Sequence, residues 1–164
     1  MTWLRLLSLF VLAVVLAGDR LSTPVRAGET FLTSKLWIET SSTRHEFTVE
    51  IADTPARRAQ GLMFREKMPI DHGMLFDFDK TGPVAMWMRN TLIPLDMLFI
   101  NGDGTIHHII VAAEPRTGTT RSSNGAVAAV LELNGHVSEL LGIRPGDTIR
   151  HAMFGNAPES DTAN

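Results

Sequence analysis

The sequence predicts a mainly β protein: a compact single domain, a β-sandwich or closed barrel, with two short helices. Three observations predict it. Apolar and polar residues alternate with period two, as where Phe47, Val49 and Ile51 are set against Glu46, Thr48 and Glu50. Turn-forming residues are dense between such stretches. Only two brief segments read as helix, and no regular alternation of strand and helix points to a parallel sheet. The 164 residues are 44% hydrophobic and 20% charged, which suits one globular domain.

Residues 1–27 stand apart. Arg5 precedes the apolar run LLSLFVLAVVLA, which is shorter than the roughly 18 apolar residues of a membrane span. A basic start, an apolar run and a small-residue site at Val25-Arg26-Ala27 predict a secretory signal peptide. Val15-Leu16-Ala17 is the alternative cleavage site, and an uncleaved membrane anchor is the rival reading. The expected order is then a signal peptide over residues 1–27, one β-rich domain over 28–154 and a disordered tail over 155–164. The expected localisation is periplasmic or extracellular, with no membrane association once the signal is removed. Cleavage takes away Arg5, Arg20, Arg26 and Asp19 and moves the formal charge from −3 to −5. That acidity leaves no electrostatic footprint for a nucleic-acid partner. No cysteine is present, so the sequence offers neither a disulfide nor a thiol nucleophile.

Along the chain, residues 36–39 and 46–51 read as strands joined by a polar hairpin turn. Thr54 is placed to cap a helix and Pro55 to begin it, with Arg57 and Arg58 on the wet face and Gly61 at its end. Residues 73–78 return to strand, with Met74, Phe76 and Phe78 on one face. Thr81-Gly82-Pro83 reads as a turn before strands at 84–89 and 95–100. Asn101-Gly102-Asp103-Gly104 is a strong hairpin signal, and residues 105–113 form the returning strand. A loop over 114–125, a buried strand over 126–133, a short helix over 136–141 and a last strand over 148–153 complete the domain.

The segment MWMRNTLIPLDMLFI, residues 86–100, poses the functional question, because Arg89, Asn90 and Asp96 interrupt an apolar run. A carboxylate at Asp96 is costly to bury unless it is paired or accepts several hydrogen bonds. Arg89 and Arg65 are its expected partners, in a structural ion pair or as part of a pocket. Asn90 and Thr91 sit where the strand breaks, and Glu132, between Leu131 and Leu133, is a second half-buried acid. The candidate ligand site is therefore Arg65, Arg89, Asn90, Thr91, Asp96 and Glu132. Six of the eight methionines fall between Met63 and Met97, and Met86 and Met88 would share a strand face. Thioethers select Cu(I), but gap-filling in a core is the commoner role of Met. No histidine pair has ligand spacing, so no resident metal or other cofactor is expected. No nucleophile elbow or phosphate-binding loop occurs either.

Several blocks resemble a known family. They are GLMFR (residues 61–65), GMLF (73–76), MWMRNTLIPLDMLFI (86–100), VLELN (130–134) and GIRPGD (142–147). Together they resemble the domain of unknown function 192 family of bacteria and archaea, over roughly residues 47–153. The resemblance implies a compact, mostly β domain, often exported, and brings no catalytic residue with it. Its signature contains Arg65, the run from Met86 to Thr91, Asp96 and Glu132. One departure stands out: the family usually reads Ala-Gly after VLELN, where this chain has Gly135-His136.

The leading functional expectation is an exported module binding a small polar ligand or an envelope protein at the strand break between Arg89 and Asp96. The alternatives are a hydrolase acting on sugar or cell-wall material through Asp96 and Glu132, and Cu(I) binding through Met86 and Met88.

Overall fold

A computed structural model of the chain describes residues 28–158. The signal peptide expected over residues 1–27, and the part of the expected tail from 159 onward, lie outside the described residues. Within them the protein is mainly β, with two short helices, α1 (Pro55–Gln60) and α2 (Val137–Leu140). Seven strands form one curled sheet: β1 (Leu32–Glu39), β2 (Arg44–Ala52), β3 (His72–Met86), β4 (Leu95–Ile100), β5 (Ile106–Ala113), β6 (Arg121–Asn134) and β7 (Thr148–Arg150). Their order across the sheet is β5-β4-β6-β3-β2-β1-β7.

Local chemistry explains most elements. The β1–β2 hairpin closes through the Thr40 N–H, which donates to the Thr43 carbonyl at 2.9 Å. The Thr54 hydroxyl accepts from the Arg57 N–H at 3.2 Å and caps α1, with Pro55 at its first turn. In the β4–β5 turn the Gly104 N–H donates to the Asn101 carbonyl at 3.0 Å. Gly104 has φ 88, and an added Cβ would lie 2.5 Å from the Ile149 carbonyl oxygen, so the turn needs glycine twice over.

Three expectations need correction. First, β2 and β3 pair in parallel, through the crossover that carries α1. A single such unit leaves no periodic strand–helix signal in the sequence, yet a parallel pair requires a crossover of this kind. Second, Thr81-Gly82-Pro83 is no turn but lies inside β3, where Gly82 and Pro83 pair with Val127 and Ala126. The ladder bulges between Asp77 and Gly82, and Pro is tolerated at bulges because a ladder donor is already lost there. The buried Ser123 hydroxyl repairs the ladder, accepting from the Val84 N–H at 3.0 Å and donating to the Gly125 carbonyl. Third, the loop expected over 114–125 gives way to β6 at Arg121. Asn156, assigned to the tail, is tied to its surroundings: it accepts from the His151 N–H at 3.0 Å and donates to the Ile149 carbonyl at 3.0 Å.

Both faces of the sheet are covered. One face carries Leu36, Ile38, Phe47, Val49, Leu75, Leu98, Leu131 and Leu133. The other carries Met74, Phe76, Met97, Phe99 and Val130, roofed by Leu62 and Met88 from the segments after α1 and β3. Every residue of β4 is buried, which is why that strand reads as an unbroken apolar run around Asp96. Each fully buried Leu, Ile, Met or Phe contributes about 1.5–3 kcal/mol. The two ends of the strand order approach each other, since Thr105 bridges Thr148 and the Ile149 N–H donates to the Gly104 carbonyl at 2.8 Å.

Candidate functional site

Strand register decides where the six candidate residues go. In the β4–β6 ladder Asp96 lies opposite Leu133, and Met97 opposite Glu132. Successive residues of a strand point to opposite faces, so Asp96 and Glu132 are on opposite sides of the sheet. They do not form the carboxylate pair that a hydrolase would need.

Asp96 is fully buried and fully occupied. Oδ1 accepts from the Ala112 and His136 N–H groups, each at 2.8 Å. Oδ2 accepts from the Ser138 N–H at 2.8 Å and the Ser138 hydroxyl at 2.6 Å. These bonds tie β4 to β5 and to the start of α2. The expected Asp96–arginine pair is absent: the carboxylate is balanced by N–H and O–H donors, four short bonds that leave no need for a guanidinium. His136, which donates one of them, has φ 70, the left-handed backbone that favours glycine, at the second of the two positions where the family usually reads Ala-Gly.

The two candidate arginines have other positions. Arg65 pairs with Glu50, Nη1 donating to Oε1 at 2.6 Å, and its guanidinium lies over the Phe31 ring at 6.0 Å. Arg89 and Asn90 are exposed, with Asn90 at φ 60 turning the chain and its carbonyl accepting from the Phe64 N–H at 2.9 Å. β3 ends at Met86, so the strand alternation expected to unite Met86 and Met88 stops short of Met88, which is buried in the core.

Two candidates do converge. Thr91 and Glu132 line one cavity of about 300 Å³ between α1 and the sheet. Its apolar walls include Leu62, Met63, Phe76, Phe78, Met86 and Trp87. Glu132 has 4% of its surface exposed and Thr91 5%, and among the described residues neither side chain has a hydrogen-bond partner in the protein. Across the sheet Glu132 is flanked by Met74 and Met97. Burial alone pushes its carboxyl from the ordinary 4.5 up to about 8, because no cation or donor offsets the loss of water.

Arg58 also lines this cavity, which the sequence reading missed by assigning it to the wet face of α1. Its side chain folds back instead: Nη1 donates to the Asp53 carbonyl at 2.9 Å and to the Asp77 carbonyl, and lies 3.5 Å from an Asp79 carboxylate oxygen. The guanidinium covers the Phe78 ring at 5.7 Å. Phe76 and Phe78 were legible as one apolar strand face, but nothing in the pattern said that this face borders a void.

A family model for domain of unknown function 192, described as Uncharacterized ACR, matches residues 37–151. The chain belongs to that family. The crystal structure of a Sinorhizobium meliloti 1021 protein described as a candidate transcription regulator is similar at 46% identity and a TM-score of 0.75, covering 77% of this chain and 99% of that one. A Novosphingobium aromaticivorans DSM 12444 protein of unknown function is similar at 38% identity and a TM-score of 0.71, covering 73% of this chain and 85% of that one. A comparison with curated proteins returns no match.

The two acids predict opposite behaviour. Asp96→Asn replaces an acceptor by an NH2 group facing N–H donors, and should lower stability by about 2–4 kcal/mol in urea titrations. Arg89→Ala should change it by no more than about 0.5 kcal/mol. For Glu132, a folded value of about 8 above an unfolded value of 4.5 means the folded chain keeps a proton that the unfolded chain releases between those pH values. Stability therefore falls as pH rises through that window. Glu132→Gln lacks this penalty: it should match the parent near pH 4 and exceed it by on the order of a few kcal/mol at pH 8. Parallel pH profiles for the two proteins would contradict the assignment.

Proposed function

We propose that the protein is an exported, non-enzymatic binding module whose cavity beside α1 takes a small ligand with a largely apolar body and one hydrogen-bonding head. The observation that carries this reading is the Glu132 carboxyl, buried in the cavity floor with no partner in the protein. A carboxyl that lines an apolar cavity without a protein partner is a group that a complementary ligand head can satisfy. Aromatic and thioether walls around a few convergent polar groups are what small-molecule sites offer. The ligand site moves from the exposed Arg89–Asn90 corner into the adjacent cavity, to which Thr91 belongs.

Export rests on the leader features of residues 1–27 and places the module in the periplasm or outside the cell. We read its curled sheet as a partly closed barrel rather than a sandwich, because β7 meets the start of β5. The description of the Sinorhizobium protein as a transcription regulator is not carried over, since the exported chain would carry a formal charge of −5, an acidic balance that does not favour nucleic acid.

Benzyl alcohol, a ring with one hydroxyl head, should bind the purified protein by isothermal titration calorimetry. Ala59→Trp, at an exposed α1 position that borders the cavity, should weaken that binding at least about tenfold while leaving stability within about 0.5 kcal/mol. Equal binding by both proteins would count against this cavity as the site.

A further inference from the structure

Resting on that reading, we infer that the cavity selects neutral ligands whose head sets a hydrogen-bond acceptor beside a donor, the carboxamide class, in preference to amines and carboxylates. Geometry makes the argument. Glu132 and Thr91 present two unpartnered polar groups to one apolar space. A neutral carboxyl offers one O–H donor and one carbonyl acceptor side by side, and a primary amide matches both at once. The Thr91 hydroxyl is a further donor or acceptor for the same head.

The charged groups around Glu132 support the choice. From β3 and β4 its neighbours are Met74 and Met97, which carry no charge. Beyond Met74 the same row of the sheet reaches Glu50 on β2, already paired with Arg65. From α1 comes Arg58, held by Asp79 and two backbone carbonyls, and the lining residues 61–63, 85–87 and 91 bring no ionisable group. Burial holds the Glu132 proton on up to a pH of about 8. An ammonium head would have to displace that proton and bring a second buried charge near Arg58, in a lining that is mostly apolar. A carboxylate head would share one proton with Glu132 in the same apolar space.

Four probes of nearly equal size separate the possibilities: phenylacetamide, phenethylamine, phenylacetate and ethylbenzene, titrated into the purified protein from pH 6 to pH 9. The amide should bind tightest at pH 7 and weaken several-fold by pH 9, as Glu132 ionises through about 8. Glu132→Gln, whose side-chain amide keeps a donor and an acceptor, should bind the amide within about threefold of the parent and lose the pH dependence. Glu132→Leu should bind amide and ethylbenzene alike. Phenethylamine binding that exceeds the amide's and tightens as pH rises would overturn the inference, as would phenylacetate binding above the amide's. Ethylbenzene binding with no preference among heads would also overturn it while leaving the cavity reading intact. Failure of all four probes would overturn both.

Discussion

Strand β6 is the constraint on which the rest depends. It pairs with β3 on one side and β4 on the other, and its alternation cannot slip without turning the core inside out. Leu131 and Leu133 must enter one face, so Val130 and Glu132 must enter the other. The carboxyl at 132 is thereby committed to an apolar layer roofed by α1 and the residues after it. Among the described residues no arginine pairs with it there: Arg65 is taken by Glu50, and Arg58 is taken by Asp79 and two backbone carbonyls.

Two buried acids in one small domain thus have different chemistry. Asp96 sits where three backbone N–H groups and a hydroxyl meet, and a carboxylate with four donors is a brace between β4, β5 and α2. Glu132 has none, so it stays protonated into the neutral range, and it lines a cavity. Full satisfaction marks a structural group, whereas a buried polar group left without a partner asks for a reason. A cavity of ligand size beside it supplies one.

Much of the architecture was legible. The Phe47–Ile51 alternation, the Thr54-Pro55 helix start and the Asn101–Gly104 hairpin each reflect local chemistry, and each occurs where the sequence places it. The parallel β2–β3 pair was not legible, because one crossover has no period to detect. Nor was the continuity of β3 through Gly82-Pro83, because a bulge and a turn use the same residues. At the site, Thr91 and Glu132 were legible as polar residues set in apolar runs, and both line the cavity. Their separation from Asp96, Arg65 and Arg89 depends on the β4–β6 register, a non-local fact that alternation along one strand does not contain. The folding back of Arg58 onto main-chain carbonyls likewise depends on where β3 passes α1.

The central claim is that Glu132 is a neutral acid with no partner in the protein, and carboxyl-carbon NMR of the protein labelled at glutamate tests it directly. One glutamate resonance, absent from the spectrum of Glu132→Gln, should stay at its protonated position through pH 6 and titrate near 8. A Glu132 signal that titrates near the ordinary 4.5 would contradict the account, because burial would then not be what governs this carboxyl.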